Sequence, residues 1–314
     1  MASRSIRRDP IPCRQFGRHP DQVSIIGLGG YHLGQVKTIA ESIRIVHEAI
    51  DAGVNFLDNA WEYHEGESEQ RMGRAIADRR DSVFLMTKVC THGRDAKVAM
   101  RQLEGSLRRL RTDHLDLWQI HECVYYNDPE RHFAPGGVVE ALERAKAQGK
   151  TRYVGFTGHK DPDIHLRMLA SGFDFDACQL PLNGLDAHFR SFQDRVLPEL
   201  TRRGIASIGM KSLGGNGRVI KKKAVRVADA LRYAMSLQVC TTVSGIDSLK
   251  VLRQNLKIAR GFSAMSTKER AAYERSVADD AQDGRFELYK TSAEHEGDVG
   301  RKQHGFPTQE EMAG

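Results

Sequence analysis

Residues 83–120 read VFLMTKVCTHGRDAKVAMRQLEGSLRRLRTDHLDLWQI and contain, in order, a strand, a helix and a second strand. The apolar runs VFLMTK (83–88) and LDLWQI (115–120) are short and nearly continuous, which is typical of parallel strands buried on both faces. From Ala96 to Leu110, apolar residues recur at spacings of three and four and predict an amphipathic helix. The stretch therefore predicts one strand–helix–strand unit of a parallel sheet.

The same alternation extends in both directions along the chain. We predict eight strands, at 24–29, 55–58, 83–88, 115–120, 153–158, 177–180, 206–210 and 241–245. The predicted helices lie at 38–52, after a cap at Ser68, at 96–110 and 137–148, after Pro162, and at 192–203, 224–237 and 248–260. Right-handed β–α units of this kind leave no sheet edge when they close, so the predicted α/β fold is a (β/α)8 TIM barrel.

The remaining segments fit around such a barrel as extensions of one domain. A barrel needs about 250 residues, and this chain has 314. We expect a single domain over 1–314 with its barrel core at about 23–260. The segment QFGRHPDQV (15–23) favours a short N-terminal β-hairpin at the barrel bottom, and 261–314 is expected to be an extended C-terminal tail with one helix near 267–278.

Composition excludes several classes of protein. No run of 18 apolar residues exists, so no membrane span is expected. The basic N-terminus lacks an apolar stretch, and five widely spaced cysteines suggest reduced thiols, so we expect a cytoplasmic protein. The net charge of +6 is spread thinly, and its one dense run, Lys221–Lys223, is too short to predict nucleic-acid binding.

Polar residues stand at the ends of three neighbouring predicted strands. Asp58 ends the second strand, Lys88 ends the third, and His121 follows the fourth, while Tyr63 lies in the loop after Asp58. Active sites of such barrels lie at the carboxyl ends of the strands. Each residue alone has an ordinary structural alternative, such as a loop cap, a surface lysine or a packing aromatic. Their joint placement favours one catalytic group.

The chemistry of this group is that of proton donation to a polarised oxygen. A nearby ammonium such as Lys88 is expected to lower the pKa of the Tyr63 hydroxyl, and Asp58 would keep the lysine charged. His121 can orient a substrate oxygen. No nucleophile or metal-binding motif accompanies the group, and we expect no metal ligands. A cofactor must then supply the reducing power, and a hydride donor is the natural candidate.

Three stretches resemble the aldo-keto reductase family: NFLDNAWEYHEGESEQRMGRAI (55–76), VFLMTK (83–88) and LDLWQIHE (115–122). The similarity extends from about Ser24 to about Ala259. It implies a barrel that reduces aldehydes or ketones reversibly with NADP(H) or possibly NAD(H), with Tyr63 as general acid, Lys88 and Asp58 tuning it, and His121 positioning the carbonyl.

The resemblance also implies cofactor contacts, some of which depart from the family pattern. Thr157 stands where the family has a serine. Gly158 replaces an asparagine, so His159 or a backbone group must compensate. Met210 stands where the family has an aromatic ring that stacks on the nicotinamide. The glycines of the loop 214–217 could approach a pyrophosphate. The full set of implied cofactor residues is Gly29, Gly30, Asp58, Thr157, Gln179, Met210, Lys211, Leu213, Gly245, Arg253, Gln254 and Asn255.

The residues expected around the adenosine end of the cofactor do not by themselves decide between NADP and NAD. The family's NADP clamp after the eighth strand is not intact, with Gly245, Ile246 and Val251 at its places. Arg253 or the Lys221 cluster could meet a 2′-phosphate, and a solvated face is the alternative for the cluster. NADP is favoured over NAD, chiefly by the family resemblance.

Substrate and alternative functions follow less directly from the sequence. Candidate substrate residues in the loops at the mouth are Tyr31, His32, Trp61, Tyr125 and Tyr126, although these aromatics could equally be packing. Cys90 and Cys123 could form a redox switch if both face the pocket. A non-catalytic, nicotinamide-binding redox-sensing subunit is the alternative function, and a lyase or isomerase on the same barrel is a third.

Overall fold

A computed structural model describes residues 10–90, 95–215, 217–222, 225–293, 295–303 and 305–313. Its centre is a closed barrel of eight parallel strands, joined where the last strand pairs with both the first and the seventh. The strands are β3 (Ile26–Gly29), β4 (Phe56–Asp58), β5 (Phe84–Val89), β6 (Leu115–Ile120), β7 (Thr151–Thr157), β8 (Ala177–Pro181), β9 (Ala206–Met210) and β10 (Thr241–Gly245). The predicted (β/α)8 barrel is confirmed, with each strand within two residues of its predicted bounds.

The predicted N-terminal hairpin is also present. Strands β1 (Cys13–Gln15) and β2 (Gln22–Ser24) pair antiparallel. The turn between them inserts Phe16, which is fully buried, among the aromatic side chains at the amino ends of the barrel strands. Its ring centroid lies 4.7 Å from that of Phe84. The hairpin therefore closes the end of the barrel opposite the strand ends that carry the polar residues.

Helices surround the barrel and follow the predicted amphipathic patterns. Their bounds are α1 (Gly30–Gln35), α2 (Ile39–Asp51), α3 (Glu67–Ala75), α4 (Ala96–Leu110), α5 (Asp128–Phe133), α6 (Val138–Ala147), α7 (Pro162–Ala170), α8 (Phe192–Arg195), α9 (Leu197–Arg203), α10 (Arg218–Lys221), α11 (Val227–Ser236) and α12 (Leu249–Arg260). None of the described helices is long and apolar enough to span a bilayer.

Two helix predictions need correction. Ser68 does not cap α3, because the helix already begins at Glu67 after Gly66, and the Ser68 hydroxyl donates instead to the carbonyl oxygen of Gly30. The helix predicted over 192–203 is divided into α8 and α9, with Pro198 in the first turn of the second. Of the basic run, Lys223 lies outside the described residues, as does Ala224, the predicted start of α11.

The C-terminal tail is folded rather than extended coil. It forms α13 (Thr267–Ala281), α14 (Leu288–Thr291), α15 (Asp298–Gln303) and α16 (Gln309–Ala313). Ser266 begins α13 with a capping box to Glu269. The predicted helix near 267–278 is therefore confirmed, and the segment after it returns over the carboxyl ends of the strands.

Candidate active site

A buried ion pair joins the ends of β4 and β5. Asp58 is the last residue of β4, and Lys88 lies near the end of β5, so parallel pairing brings them to the same mouth of the barrel. The Lys88 ammonium donates to the Asp58 carboxylate and, at 2.8 Å, to the carbonyl oxygen of Asn59. Both side chains are buried. Since each charge is compensated, the pair can be held away from water.

Tyr63 stands over this pair at the start of a 3-10 turn, Tyr63–Gly66. The Lys88 ammonium lies 5.2 Å from the centre of its ring, and the ring of His121 lies 5.6 Å away, nearly perpendicular. The structure thus brings together all four residues predicted at the strand ends.

The pKa of Tyr63 departs from the sequence prediction. Burial raises the pKa of its hydroxyl well above the usual value, and the negative charges of Asp58 and Glu62 raise it further. The net direction is opposite to the lowering predicted from Lys88, whose ammonium is paired with Asp58. Tyr63 consequently keeps its proton across the neutral pH range.

His121 is oriented by a carboxylate that the sequence analysis missed. Its Nδ1 lies 2.7 Å from Oε1 of Glu62, and both side chains are nearly buried. Burial lowers the pKa of His121 to about 4, and burial raises the pKa of Glu62. Glu62 directly precedes Tyr63 in the chain, and that adjacency is the signal that could have identified it.

Glu122, also missed, adds a second buried carboxyl group beside His121. Burial, followed by the charge of Glu62, raises the pKa of Glu122 to about 8. The backbone amide of Gly297, from the C-terminal tail, donates to its Oε2 at 2.8 Å. Its backbone has a φ of +54°, a conformation that costs energy in a residue with a side chain.

Glu62, His121 and Glu122 also form a compact set of potential metal ligands. One donor atom from each lies within 4.8 Å of the others, the one such group among the described residues. The sequence prediction that no metal is bound did not consider these carboxylates and stays a prediction. In the present arrangement, Glu62 is engaged by His121, and Glu122 accepts from Gly297.

The strand ends next to Asp58 offer atoms suited to a nicotinamide carboxamide. Nε2 of Gln179 donates to Asp58 at 2.7 Å, whereas its Oε1 is buried without a hydrogen-bond partner among the described residues. The Nε2 atom of His159 is likewise buried without such a partner. A bound carboxamide would provide the missing partners, so these residues fit the group.

Packing explains why glycine replaces the expected asparagine at position 158. A Cβ atom there would lie 2.3 Å from the carbonyl oxygen of Cys123. The same segment is fixed by the Cys123 amide, which donates to the carbonyl oxygen of Thr157 at 2.8 Å. Gly158 therefore allows the chain after β7 to pass close to the chain after β6.

Lys211 brings a second ammonium group to the mouth, directly after Met210 at the end of β9. It lies 5.1 Å from the centre of the Tyr289 ring, and its backbone φ is +55°. Burial lowers the pKa of this lysine to about 8. Leu213, in the turn that follows, is half-buried.

The predicted adenosine residues lie around the start of α12 but make other contacts. Arg253 pairs with Glu48 through two hydrogen bonds of 2.7 and 2.9 Å, and Nδ2 of Asn255 donates to Ser244. Gln254 is exposed. A Cβ at position 245 would lie 2.3 Å from Nδ1 of His32, so Gly245 makes room for that ring. Gly29 and Gly30 are buried at the junction of β3 and α1.

Comparison with known proteins assigns the family. The model of the aldo/keto reductase family matches residues 25–229, well over half of the chain. The chain belongs to the aldo/keto reductase family. The resemblance inferred from the sequence is therefore confirmed.

Several relatives and solved structures are similar over most of this aldo/keto reductase. The 6-dehydroglucose reductase of Novosphingobium aromaticivorans is 28% identical over 290 residues, covering 82% of this chain and 92% of that protein. The holo form of aldo-keto reductase AKR11C1 from Bacillus halodurans superposes with a TM-score of 0.72 at 22% identity, covering 85% of this chain and 96% of that one. An aldo/keto reductase from Klebsiella pneumoniae in complex with NADP and acetate superposes with a TM-score of 0.66 at 24% identity, covering 86% of this chain and 95% of that one.

The aromatic residues predicted to contact the substrate do not all lie at the mouth of the barrel. Tyr31 meets the edge of Tyr63 at 5.4 Å, so it borders the candidate catalytic group of this aldo/keto reductase. The hydroxyl of Tyr125 donates to Glu296 in the tail, and the exposed Tyr126 donates to Asp161. Trp61 is not brought to this group, because its indole lies in a groove on the outer surface between α3 and α4.

The tail covers the mouth through buried charged contacts. Glu296 accepts from Tyr125 at 2.9 Å, from Lys160 at 2.8 Å and from Arg301 at 2.5 Å. Next to these, Gly297 binds Glu122. The tail therefore bridges the segments after β6 and β7, directly over His121.

A second buried cluster anchors the start of the tail. The Lys290 ammonium is completely buried and donates to Asp186 at 2.6 Å and to Glu287 at 3.1 Å. Asn183, after β8, reaches the hydroxyl of Tyr289 at 3.0 Å. The contacts of Asp186 and Asn183 could not be predicted from local pattern, because their partners lie about a hundred residues further along the chain.

The two cysteines near the site are poorly suited to oxidation. Cys90 and Cys123 are fully buried, and burial raises the pKa of both thiols well above the usual value. Oxidation proceeds through the thiolate, which is scarce under these conditions. The arrangement thus argues against the redox switch considered from the sequence.

Proposed function

We propose that this protein reduces an aldehyde or ketone to an alcohol with Tyr63 as the proton donor. The observation that carries the proposal is the buried group of four, in which the Lys88–Asp58 pair lies beneath Tyr63 and His121 stands beside it. When bound, the reduced nicotinamide supplies a hydride to the carbonyl carbon. The chain's own residues must then bind the carbonyl oxygen and deliver one proton to it.

Proton delivery rests on the protonation state of Tyr63. Because burial raises its pKa, the hydroxyl is protonated before the reaction and can donate to the oxygen as negative charge develops there. The Lys88 ammonium, 5.2 Å from the ring centre, would stabilise the phenolate that remains. His121 engages Glu62 through Nδ1, which leaves Nε2 as the nitrogen available to the carbonyl oxygen.

We further propose that the substrate is a small hydrophilic carbonyl compound, such as an oxidised sugar. Charged and polar groups line the covered mouth, among them Glu122, His121 and Lys211. The similarity to 6-dehydroglucose reductase extends over most of both chains and supports the same class of substrate.

For the cofactor we propose NADP(H), supported by the two Klebsiella pneumoniae structures, which contain NADP and NADPH. NAD(H) is the second candidate because Asp247 stands in the turn between β10 and α12, beside Ser248, which caps the helix. A carboxylate there would repel a 2′-phosphate but accept hydrogen bonds from a ribose hydroxyl.

The decisive experiment is oxidation of NADPH and of NADH, followed at 340 nm, against a panel of aldehydes, ketones and oxidised sugars. Turnover of a hydrophilic carbonyl by the wild type, and its absence in Tyr63→Phe, would support the proposal. Tight cofactor binding with no turnover of any panel member would favour the non-catalytic, redox-sensing subunit. Product formation without net cofactor oxidation would indicate a lyase or isomerase.

A further inference from the structure

A groove lined by arginines lies on the outer surface between α3 and α4, away from the mouth of the barrel. Its volume is about 570 Å³. The lining side chains that matter here are Arg74, Arg101, Arg108, Arg109, Arg111 and Trp61. We call this the basic groove. Five guanidinium groups around one concavity repel one another unless anions balance them.

The charge of the basic groove is largely unbalanced by the protein. Arg109 pairs with Glu69, its Nε lying 2.8 Å from Oε2 of a fully buried carboxylate. That carboxylate also accepts from Thr87 at 2.6 Å. The other four arginines pair with no carboxylate of the described residues. The surplus positive charge therefore faces the groove.

Three donor groups converge on a single point above Gly105, in the middle of α4. A Cβ atom at this position would lie 3.6 Å from Nε1 of Trp61 and 3.9 Å from Nη2 of both Arg108 and Arg109. The Nη2 atom of Arg109 is buried without a hydrogen-bond partner among the described residues. The space that glycine leaves open is thus surrounded by N–H groups, as in a site for an anionic oxygen.

We propose that the basic groove binds a small molecule carrying two or more phosphate groups. Guanidinium groups match phosphate oxygens in pairs, and several of them are needed to hold more than one phosphate. The confined volume suits a metabolite rather than a nucleic-acid backbone, which would need a longer basic stripe. An inorganic polyphosphate and a nucleoside triphosphate share this chemistry, and the experiment distinguishes them.

The groove is joined to the active site by one short loop. The Trp61 amide donates to the carbonyl oxygen of Lys88 at 3.0 Å, and Trp61 lies two residues before Tyr63. The chain has only two tryptophans, and the other, Trp118, is completely buried in the barrel. Trp61 fluorescence is therefore a direct reporter of ligands in the groove.

The test is titration of the full-length protein with tripolyphosphate and, separately, ATP, by fluorescence and by calorimetry at low salt. We expect saturable binding of at least one ligand, weakened about tenfold or more in Arg101→Gln/Arg108→Gln, because two charged contacts to the phosphates are lost. The control Arg44→Gln/Arg275→Gln removes the same charge from exposed positions on other helices and should leave affinity within about twofold. Binding of tripolyphosphate alone would assign an inorganic polyphosphate, and stronger binding of ATP a nucleotide.

Two further variants localise the ligand. Gly105→Ala places its Cβ at the point of convergence, at ordinary contact distances, and should weaken binding, and Gly105→Leu, which fills more of the groove, should abolish it. Trp61→Phe should remove the fluorescence change while calorimetry still detects binding. No saturable binding of either ligand, or equal weakening in the control double variant, would overturn the proposal. Carbonyl reduction is not used as a readout, so failure of the proposed function would leave this test intact.

Discussion

Nδ1 of His121 lies 2.7 Å from Oε1 of Glu62, and the two residues follow β4 and β6, the strands on either side of β5. The contact turns Nδ1 toward Glu62 and leaves Nε2 as the ring nitrogen that can face the substrate. It also places a carboxyl group, one residue before Tyr63, within the catalytic group. Glu62 is a positioning residue in this arrangement, because it acts through His121 and not on the carbonyl.

Replacing Glu62 should therefore impair the reaction without impairing cofactor binding. For Glu62→Ala we expect kcat/KM to fall about 10–100-fold, as is typical when a partner that orients a functional histidine is lost. The pH profile should also shift, because a carboxyl group 2.7 Å from Nδ1 of His121 is lost. Glu62→Gln should recover part of the rate, and the exposed neighbour variant Glu65→Ala should behave like wild type. An unchanged pH–rate profile in Glu62→Ala would refute the positioning role.

Tyr63→Phe removes the proposed proton donor and little else. We expect kcat to fall by roughly 10²–10⁴, the usual contribution of general acid catalysis. The dissociation constant of NADPH, measured by fluorescence titration, should change less than about twofold. Tyr31→Phe removes a hydroxyl from the adjacent, exposed ring, and its kcat should fall far less than that of Tyr63→Phe. Near-normal turnover by Tyr63→Phe would exclude Tyr63 as the acid.

Glu122 should make stability depend on pH. Its pKa is raised from about 4.5 in the unfolded chain to about 8 in the folded protein. The folded protein then keeps a proton that the unfolded chain loses, so stability falls as pH rises from about 4.5 to about 8 and levels off above that. Glu122→Gln cannot ionise and should lose less stability over this interval. Thermal unfolding of both proteins from pH 5 to 9 measures the difference, and parallel curves would contradict the prediction.

The barrel, and the meeting of Asp58, Tyr63, Lys88 and His121 at its mouth, could be predicted because both follow from local pattern. Apolar runs define the strands, and residues such as Lys88 are placed by where a strand ends. The error at Ser68 has a local cause as well, since Gly66 and Glu67 begin the helix earlier and free the serine to bind Gly30. Trp61 was expected at the mouth because its loop starts there, but its side chain turns outward to Arg109.

Glu62, Glu122 and the tail could not be predicted in the same way. A carboxylate next to a catalytic residue has no periodicity that distinguishes it from a surface charge. The tail is held by ion pairs such as Lys290–Asp186, whose partners are far apart in sequence and meet only after folding. Its position over the mouth is decided by these contacts and not by local propensity.

Lys290→Met should destabilise the protein strongly. The lysine is completely buried between Asp186 and Glu287, and its removal leaves two buried carboxylates without a counter-charge. Breaking a buried pair in this way costs about 3–5 kcal/mol of unfolding free energy. Urea unfolding measures the loss, and the exposed tail variant Lys302→Met should change stability by less than about 0.5 kcal/mol. A loss equal to that of the control would mean that the cluster does not hold the tail.

The final prediction concerns the choice between NADP(H) and NAD(H). The Asp247 carboxylate accepts from the Ser248 hydroxyl at 3.1 Å, in the first turn before α12. If the adenosine ribose binds there, Asp247→Ser removes a negative charge from beside the 2′-phosphate. Affinity for NADPH should then rise about tenfold, which corresponds to about 1.4 kcal/mol. Affinity for NADH should stay the same or fall, because a hydrogen-bond acceptor for its ribose hydroxyl is lost. Fluorescence titration of both cofactors without substrate measures the two constants, and equal changes for both would place the adenosine end of the cofactor away from Asp247.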